Sequence, residues 1–148
     1  MTIKTRAGMT LTELMLVVVI VGIVTAAVLP RIARSREANT AKGAASVIGS
    51  DVEAAFSAAA RSRRPMLFRC DCPNRKYEVA DQTDGSIRLS RRLDSTTNLA
   101  VDRLTLSSAS IVIGPNGIAS EAFEVAVGAG SSARRVTVTR TGQVRIVQ

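Results

Sequence analysis

Glu13 is the residue with the plainest chemistry to perform, because its surroundings give a carboxylate no ordinary place. It lies five residues after Gly8 in the stretch Gly8-Met9-Thr10-Leu11-Thr12-Glu13, and Leu14 to Leu29 follow with no charge and only Thr25 polar. A carboxylate held in hydrocarbon costs on the order of 2–3 kcal/mol even on lenient insertion scales, so Glu13 needs a partner. Thr10-x-x-Glu13 matches a capping box, which offers the backbone of Thr10 as a local one. A cation brought by another molecule is the other solution, and the two are compatible.

The remaining reactive groups are few. Cys70 and Cys72 are separated by Asp71 alone. On a strand both thiols point to one face, and a bridge across so short a loop is strained, so two free, half-buried strand residues are the favoured reading and a reducible bridge the other. Zinc needs about four ligands, and no second Cys or His cluster supplies them. The chain has no histidine at all. It therefore lacks the commonest general base and the commonest transition-metal ligand, and the sequence predicts no enzyme, no cofactor and no metal site.

Arginine is abundant, 17 residues against 3 lysines, and the net charge is +8. That excess suits bidentate phosphate contacts, and it also suits a genome rich in arginine and alanine. With no tryptophan, one tyrosine (Tyr77) and three phenylalanines, stacking capacity for single-stranded nucleic acid is small. Arg61, Arg63 and Arg64 fall in a predicted last helical turn, where cations favour the negative helix end; capping outweighs binding there.

These residues need elements to hold them. A helix from Met9 to Leu29 would be about 32 Å long at roughly 1.5 Å per residue, the hydrocarbon thickness of a bilayer. A cleaved secretory signal, with Lys4 and Arg6 as its basic region and Thr25-Ala26-Ala27 as its cleavage site, fits less well, because the apolar run is long and leads directly into a helical pattern. Charge does not orient the span: Lys4 and Arg6 flank one end, and Arg31, Arg34 and Arg36 the other.

Pro30 predicts a kink or interruption of the helix rather than its end. From Ile32 to about Arg61, Ala41, Ala45, Ile48, Val52, Phe56 and Ala59 form one apolar stripe, with Lys42, Ser46, Asp51 and Glu53 off it. Gly43 and Gly49 weaken this helix, and Ser50-x-x-Glu53 is another capping-box match, so the sequence admits a break near Gly49.

Beyond Pro65 the period changes to two. Strands are predicted at 66–70, 76–80, 86–93, 99–106, 110–113, 122–127, 134–139 and 143–147, with turns at Cys72-Pro73-Asn74, Asp84-Gly85, Gly114-Pro115-Asn116-Gly117 and 128–132. The predicted class is α+β, a long N-terminal helix packed on antiparallel sheet. The expected organisation is a leader at 1–8, a transmembrane helical segment at 9–29, an amphipathic continuation at 30–64 and a β-rich head at 65–148.

The last hairpin can be registered. A two-residue turn at Thr141-Gly142 would set Val138 opposite Arg145 and force a β-branched residue to positive φ. A three-residue loop, Arg140-Thr141-Gly142, instead pairs Val138 with Val144 and Val136 with Ile146. Arg135, Thr137, Gln143 and Arg145 then share the solvent face, with Arg140 at the tip and Arg134 nearby. Such a patch could track a phosphate backbone; ordinary solubilising charge is the competing reading.

The basic leader, Gly8, the stretch Met9-Thr10-Leu11-Thr12-Glu13, the apolar helix containing Gly22, and Pro30 at its end resemble the processing site of type IV prepilins and pseudopilins, with Met9 where phenylalanine is usual. That resemblance implies cleavage by a prepilin peptidase between Gly8 and Met9 and methylation of the new N-terminus at Met9. It also implies storage of the helix in the inner membrane, a periplasmic head, and assembly with other pilin subunits in which Glu13 pairs with a neighbour's N-terminal amine.

The second half is similar to the minor pseudopilin and minor pilin group of GspH and FimT type. The similarity is carried by Ile111-Val112-Ile113-Gly114-Pro115-Asn116-Gly117-Ile118, by Phe123-Glu124-Val125, and by the closing run from Arg134 to Arg145. It implies a minor subunit of a type II secretion pseudopilus or of a type IV filament. In the filament case a C-terminal Gly-Arg-x-Arg hairpin is implicated in DNA uptake. The matching positions are Gly142, Gln143, Val144 and Arg145, so glutamine replaces the first arginine, and Arg135, Arg140 and Arg145 are the candidate DNA contacts.

Overall fold

The structure, a computed structural model, describes residues 9–147. One helix, α1 (Leu11–Ser62), is followed by eight strands: β1 (Met66–Asp71), β2 (Lys76–Asp81), β3 (Ile87–Arg92), β4 (Arg103–Leu106), β5 (Ser110–Ile113), β6 (Phe123–Ala129), β7 (Ser132–Val138) and β8 (Val144–Val147). The chain divides into two compact units, one up to Ser35 and one from Arg36 onward.

Two features end α1 where they do. Arg63 adopts the left-handed conformation, φ 54°, and Pro65 follows, so no further helical bond can form. Within the second unit α1 buries Ala41, Ala44, Ala45, Ile48, Val52, Ala55 and Ala59, so the predicted stripe gains Ala44 and Ala55, while its Phe56 is only half-buried against the core. The helix runs unbroken through Pro30 and through Gly49. Gly43 and Gly49 are places of close approach rather than weak points: a Cβ at Gly43 would lie 3.0 Å from Leu99 Cδ2, and one at Gly49 would lie 3.2 Å from Val144 Cγ1. Their small size lets backbone and side chains meet there, which offsets their low helix propensity.

The strands form two four-stranded antiparallel sheets, ordered β3-β2-β1-β5 and β4-β6-β7-β8. The fold is α+β, as the periodicities predict. Core side chains of both sheets meet through aromatic contacts: Phe68 of β1 lies 5.6 Å from Tyr77 of β2 and 5.7 Å from Phe123 of β6, ring centre to ring centre. These rings join one sheet to the other within a single buried cluster that includes Ile48 and Val52 of α1.

Three strand expectations change. Of 99–106 only β4 is extended, because Leu93 and Val101 are buried through an irregular crossing in which the Val101 N–H donates to the Leu93 carbonyl at 2.8 Å. The turn expected over 128–132 shrinks to Gly130-Ser131, since Ala129 and Ser132 still pair. The expectation of free thiols is also overturned: Cys70 and Cys72 form a disulfide. The chain is leaving β1 at this point, which brings the two Cα atoms to 5.1 Å, inside the range a disulfide requires.

Candidate functional site

The first candidate is the start of α1. Thr10 Oγ1 accepts the Glu13 N–H at 3.3 Å and the Thr10 carbonyl accepts the Leu14 N–H at 3.2 Å, so Thr10 is the N-cap. Half of the predicted capping box is thus made by backbone and hydroxyl. The Glu13 carboxylate is exposed and meets no cation among the described residues. Met9 is the first described residue and is exposed; Gly8, Lys4 and Arg6, with the rest of the leader, lie outside the described residues.

The side chains from Leu11 to Leu29 are exposed without exception, and α1 contains an 18-residue window of mean hydropathy 2.5 with none of it buried. Burying one large aliphatic side chain is worth roughly 1.5–3 kcal/mol, so a continuous run of them calls for a non-aqueous surrounding. The helix is long and apolar enough to cross a membrane. Between Leu14 and Leu29 the one polar side chain is already satisfied, because Thr25 Oγ1 donates to the Val21 carbonyl at 2.7 Å. Glu13 is left without a cation among the described residues.

The second candidate is the closing hairpin. The pairings Val138 with Val144 and Val136 with Ile146 are present, and Gly142 holds φ +83° at the end of the three-residue loop. A Cβ on Gly142 would sit 2.9 Å from Phe56 Cδ1, so glycine here serves both the turn and the packing of the loop on α1.

Arg135 and Arg145 share the outer face of β7 and β8, while Arg140 sits at the tip. They do not act alike. Arg135 Nε is 3.0 Å from Glu124 Oε1, which neutralises it. Arg140 is tied to the turn after β5: its carbonyl accepts the Ala119 N–H at 2.7 Å and its Nε reaches the Ala119 carbonyl at 3.4 Å. Arg145 faces Thr137 and has no acidic partner among the described residues. Arg134 follows the parity of Val136 and turns to the opposite face. The outer face also receives Arg103, whose guanidinium lies over Gly128, an arrival that only the β4–β6 register could reveal.

A third group was not visible as a group in the sequence. Asp51, expected off the apolar stripe, is buried, and its carboxylate accepts the Tyr77 hydroxyl at 2.5 Å and the Arg91 guanidinium through Nε at 2.6 Å and Nη2 at 3.0 Å. The bidentate contact is what permits a carboxylate in the core. Burial, and then the hydrogen bond to Asp51, push the Tyr77 phenol far above its ordinary value.

Other carboxylates of this unit are held ionised. Lys76 and Arg69 hold Glu78 low, Thr83 and Arg64 hold Asp81 low, and Thr96 with Arg92 brings Asp94 down to about 2. Their partners belong to the same unit.

Comparison with known proteins follows the same division of the chain. Residues 3–29 match the prokaryotic N-terminal methylation motif, and residues 44–142 match the family described as type II transport protein GspH. No curated protein matches the chain. Among solved structures, the type IV minor pilin FimU of Pseudomonas aeruginosa is similar with a TM-score of 0.59 at 14% identity, over 74% of this chain and 90% of that one. The minor pseudopilin EpsH from the type 2 secretion system of Vibrio cholerae is similar with a TM-score of 0.54 at 17% identity, over 72% of this chain and 95% of that one. At these identities the likeness is one of fold.

Proposed function

The chain belongs to the GspH family of type II transport proteins, and from that premise we propose that it works by assembly, as a minor pilin or pseudopilin subunit of a type IV filament or a type II secretion pseudopilus. The observation that carries the proposal is Glu13, a carboxylate without a cation among the described residues, at the head of a bilayer-length run of exposed apolar side chains. In this reading a prepilin peptidase cuts between Gly8 and Met9 and the new amine of Met9 is methylated. The methylation-motif match over residues 3–29 supports both steps.

The helix then rests in the inner membrane with the head in the periplasm. On assembly Glu13 meets the methylated amine of a neighbouring subunit, and two charges that lipid would penalise satisfy each other. Two measurements test this. Intact-mass analysis of the mature protein is expected to show loss of Met1 to Gly8 and gain of one methyl group; a retained leader or a cut near Ala27 refutes it. Glu13→Leu is expected to be processed normally and to be absent from filaments, and normal incorporation of that variant would sink the role given to Glu13.

A second reading is DNA binding at a pilus tip during uptake. It is favoured by one observation: Arg145 is exposed, has no acidic partner among the described residues, and shares the hairpin with Arg135 and Arg140. Glu124 weighs against it by neutralising Arg135. Titrating the protein with duplex DNA at several salt concentrations decides: binding that weakens with salt and with Arg145→Ala supports this reading, and no binding at low salt removes it.

A further inference from the structure

Beside the C-terminal part of α1, between the helix and the edge strand β3, a cavity of about 170 Å³ opens to solvent. Ala54 and Ala58 of α1, Val79 of β2 and Leu89 of β3 give it an apolar lining, and Arg61 and Arg88 stand beside them. A cavity of about 150 Å³ accommodates a benzene molecule, so there is room here for one leucine-sized side chain.

Charge settles what should enter. Asp51 also borders the cavity, but Tyr77 and Arg91 occupy both of its oxygens, so it neither repels an anion nor needs a cation. Arg88 is only loosely engaged: it reaches Asp81 at 3.5 Å and its charge also acts on Asp84, while Asp81 already accepts the Thr83 N–H at 2.9 Å. Arg61 has no acidic partner among the described residues. Two guanidiniums therefore flank an apolar floor whose one bordering carboxylate, Asp51, is already engaged.

We infer that this trench docks an acidic–apolar segment of another subunit's head, taking a leucine-sized side chain into the floor and a neighbouring carboxylate between Arg61 and Arg88. The inference rests on the filament reading only for the source of the segment. The chemistry of recognition stands apart from it. The buried Asp51–Arg91 pair acquires a second consequence: it forms a neutral wall that keeps the trench selective for anions.

The test uses the full chain in detergent micelles and two fluorescent peptides, one alternating leucine with glutamate and a twin with lysine in place of each glutamate, with empty micelles subtracted. The glutamate peptide is expected to bind, and Arg61→Glu and Arg88→Glu are each expected to weaken it about tenfold or more, as loss of a contacting charge commonly does. Ala58→Leu, which fills the floor, is expected to weaken it with both arginines intact. Equal binding of the lysine twin, no binding of the glutamate peptide at millimolar concentration, or indifference to all three substitutions overturns the inference. Failure of the filament reading looks different: the peptide still binds through Arg61 and Arg88, while the unaltered chain is absent from filaments.

Discussion

Tyr77 of β2 donates its hydroxyl to Asp51 of α1 at 2.5 Å, so the only tyrosine in the chain is the buried partner of a buried carboxylate. The contact joins the helix to the sheet β3-β2-β1-β5 at its centre. Because Arg91 of β3 closes on the same carboxylate from the other side, three elements share one charge pair.

The phenol should report global unfolding. Its folded value lies far above the ordinary 10.0, so the neutral form is held in the native state. A group whose folded pKa is raised contributes stability that is fully present below its unfolded pKa and is lost as pH rises beyond it. Stability is therefore expected to decline above about pH 10, with phenolate absorbance appearing together with loss of circular dichroism. Phenolate absorbance in a protein that keeps its full dichroism would contradict the burial of Tyr77.

The two members of the pair should not contribute independently. Arg91→Ala strands a carboxylate that is 8% exposed, and breaking a buried pair in this way costs about 3 kcal/mol. Asp51→Ala leaves Arg91, whose side chain is 41% exposed, able to turn to water, and the Tyr77 hydroxyl unpaired. Urea midpoints of the two single variants and the double variant form a cycle, and a double variant less destabilised than the sum is the expected result.

What the sequence showed of this fold was local or periodic. The closing hairpin was registered in advance because Gly142 fixed the loop and the alternating valines fixed the parity. The helical stripe followed from spacing alone. Asp51 escaped because its charge set it off the apolar stripe although it lies three residues after Ile48, and its partners lie 26 and 40 residues away. Gly49 was read as a weak point for the same reason, since Val144, which it makes room for, belongs to the last strand. Glu37 accepts both the N–H and the hydroxyl of Ser131 at 2.9 Å across 94 residues, and no local pattern announces such a contact. At the N-terminus the demand of Glu13 was legible because it depends on composition, a carboxylate at the head of an apolar run.

The two glycines packed between helix and strand should respond differently to alanine. At Gly142 the backbone is left-handed and Phe56 Cδ1 would lie 2.9 Å from the new Cβ, so strain and a clash add to about 2 kcal/mol of destabilisation. At Gly49 the neighbour is a Val144 methyl at 3.2 Å, and the gain in helix propensity, about 1 kcal/mol, opposes the crowding. Thermal midpoints should fall for Gly142→Ala and barely move for Gly49→Ala.

Arg63 offers the opposite sign. It holds φ 54° just past the helix, and it is exposed, so the position uses the conformation glycine prefers without using the side chain for burial. Arg63→Gly is expected to raise stability by about 0.5–1 kcal/mol, read as a higher urea midpoint with an unchanged slope. A lower midpoint would show that the guanidinium contributes more at this end of the helix than the backbone strain removes.

Acid should weaken the head through carboxylates whose partners are local. Asp94 is brought down to about 2 by the Thr96 hydroxyl, the Arg92 guanidinium and the Thr96 N–H, while Glu78, Asp81 and Asp84 are also held below their ordinary values. A depressed folded pKa means that the stabilisation is present above the unfolded value, near 4, and is lost as pH falls through the folded one. Urea midpoints are therefore expected to drop steadily from about pH 4 to about pH 2. Asp94→Asn keeps an acceptor for the Thr96 N–H but carries no proton-linked charge, so it should start lower at pH 7 and lose less over the same interval. Parallel curves for the two proteins would show that Asp94 is not held below its ordinary range, and would move the acid sensitivity to the pairs of Glu78 and Asp81.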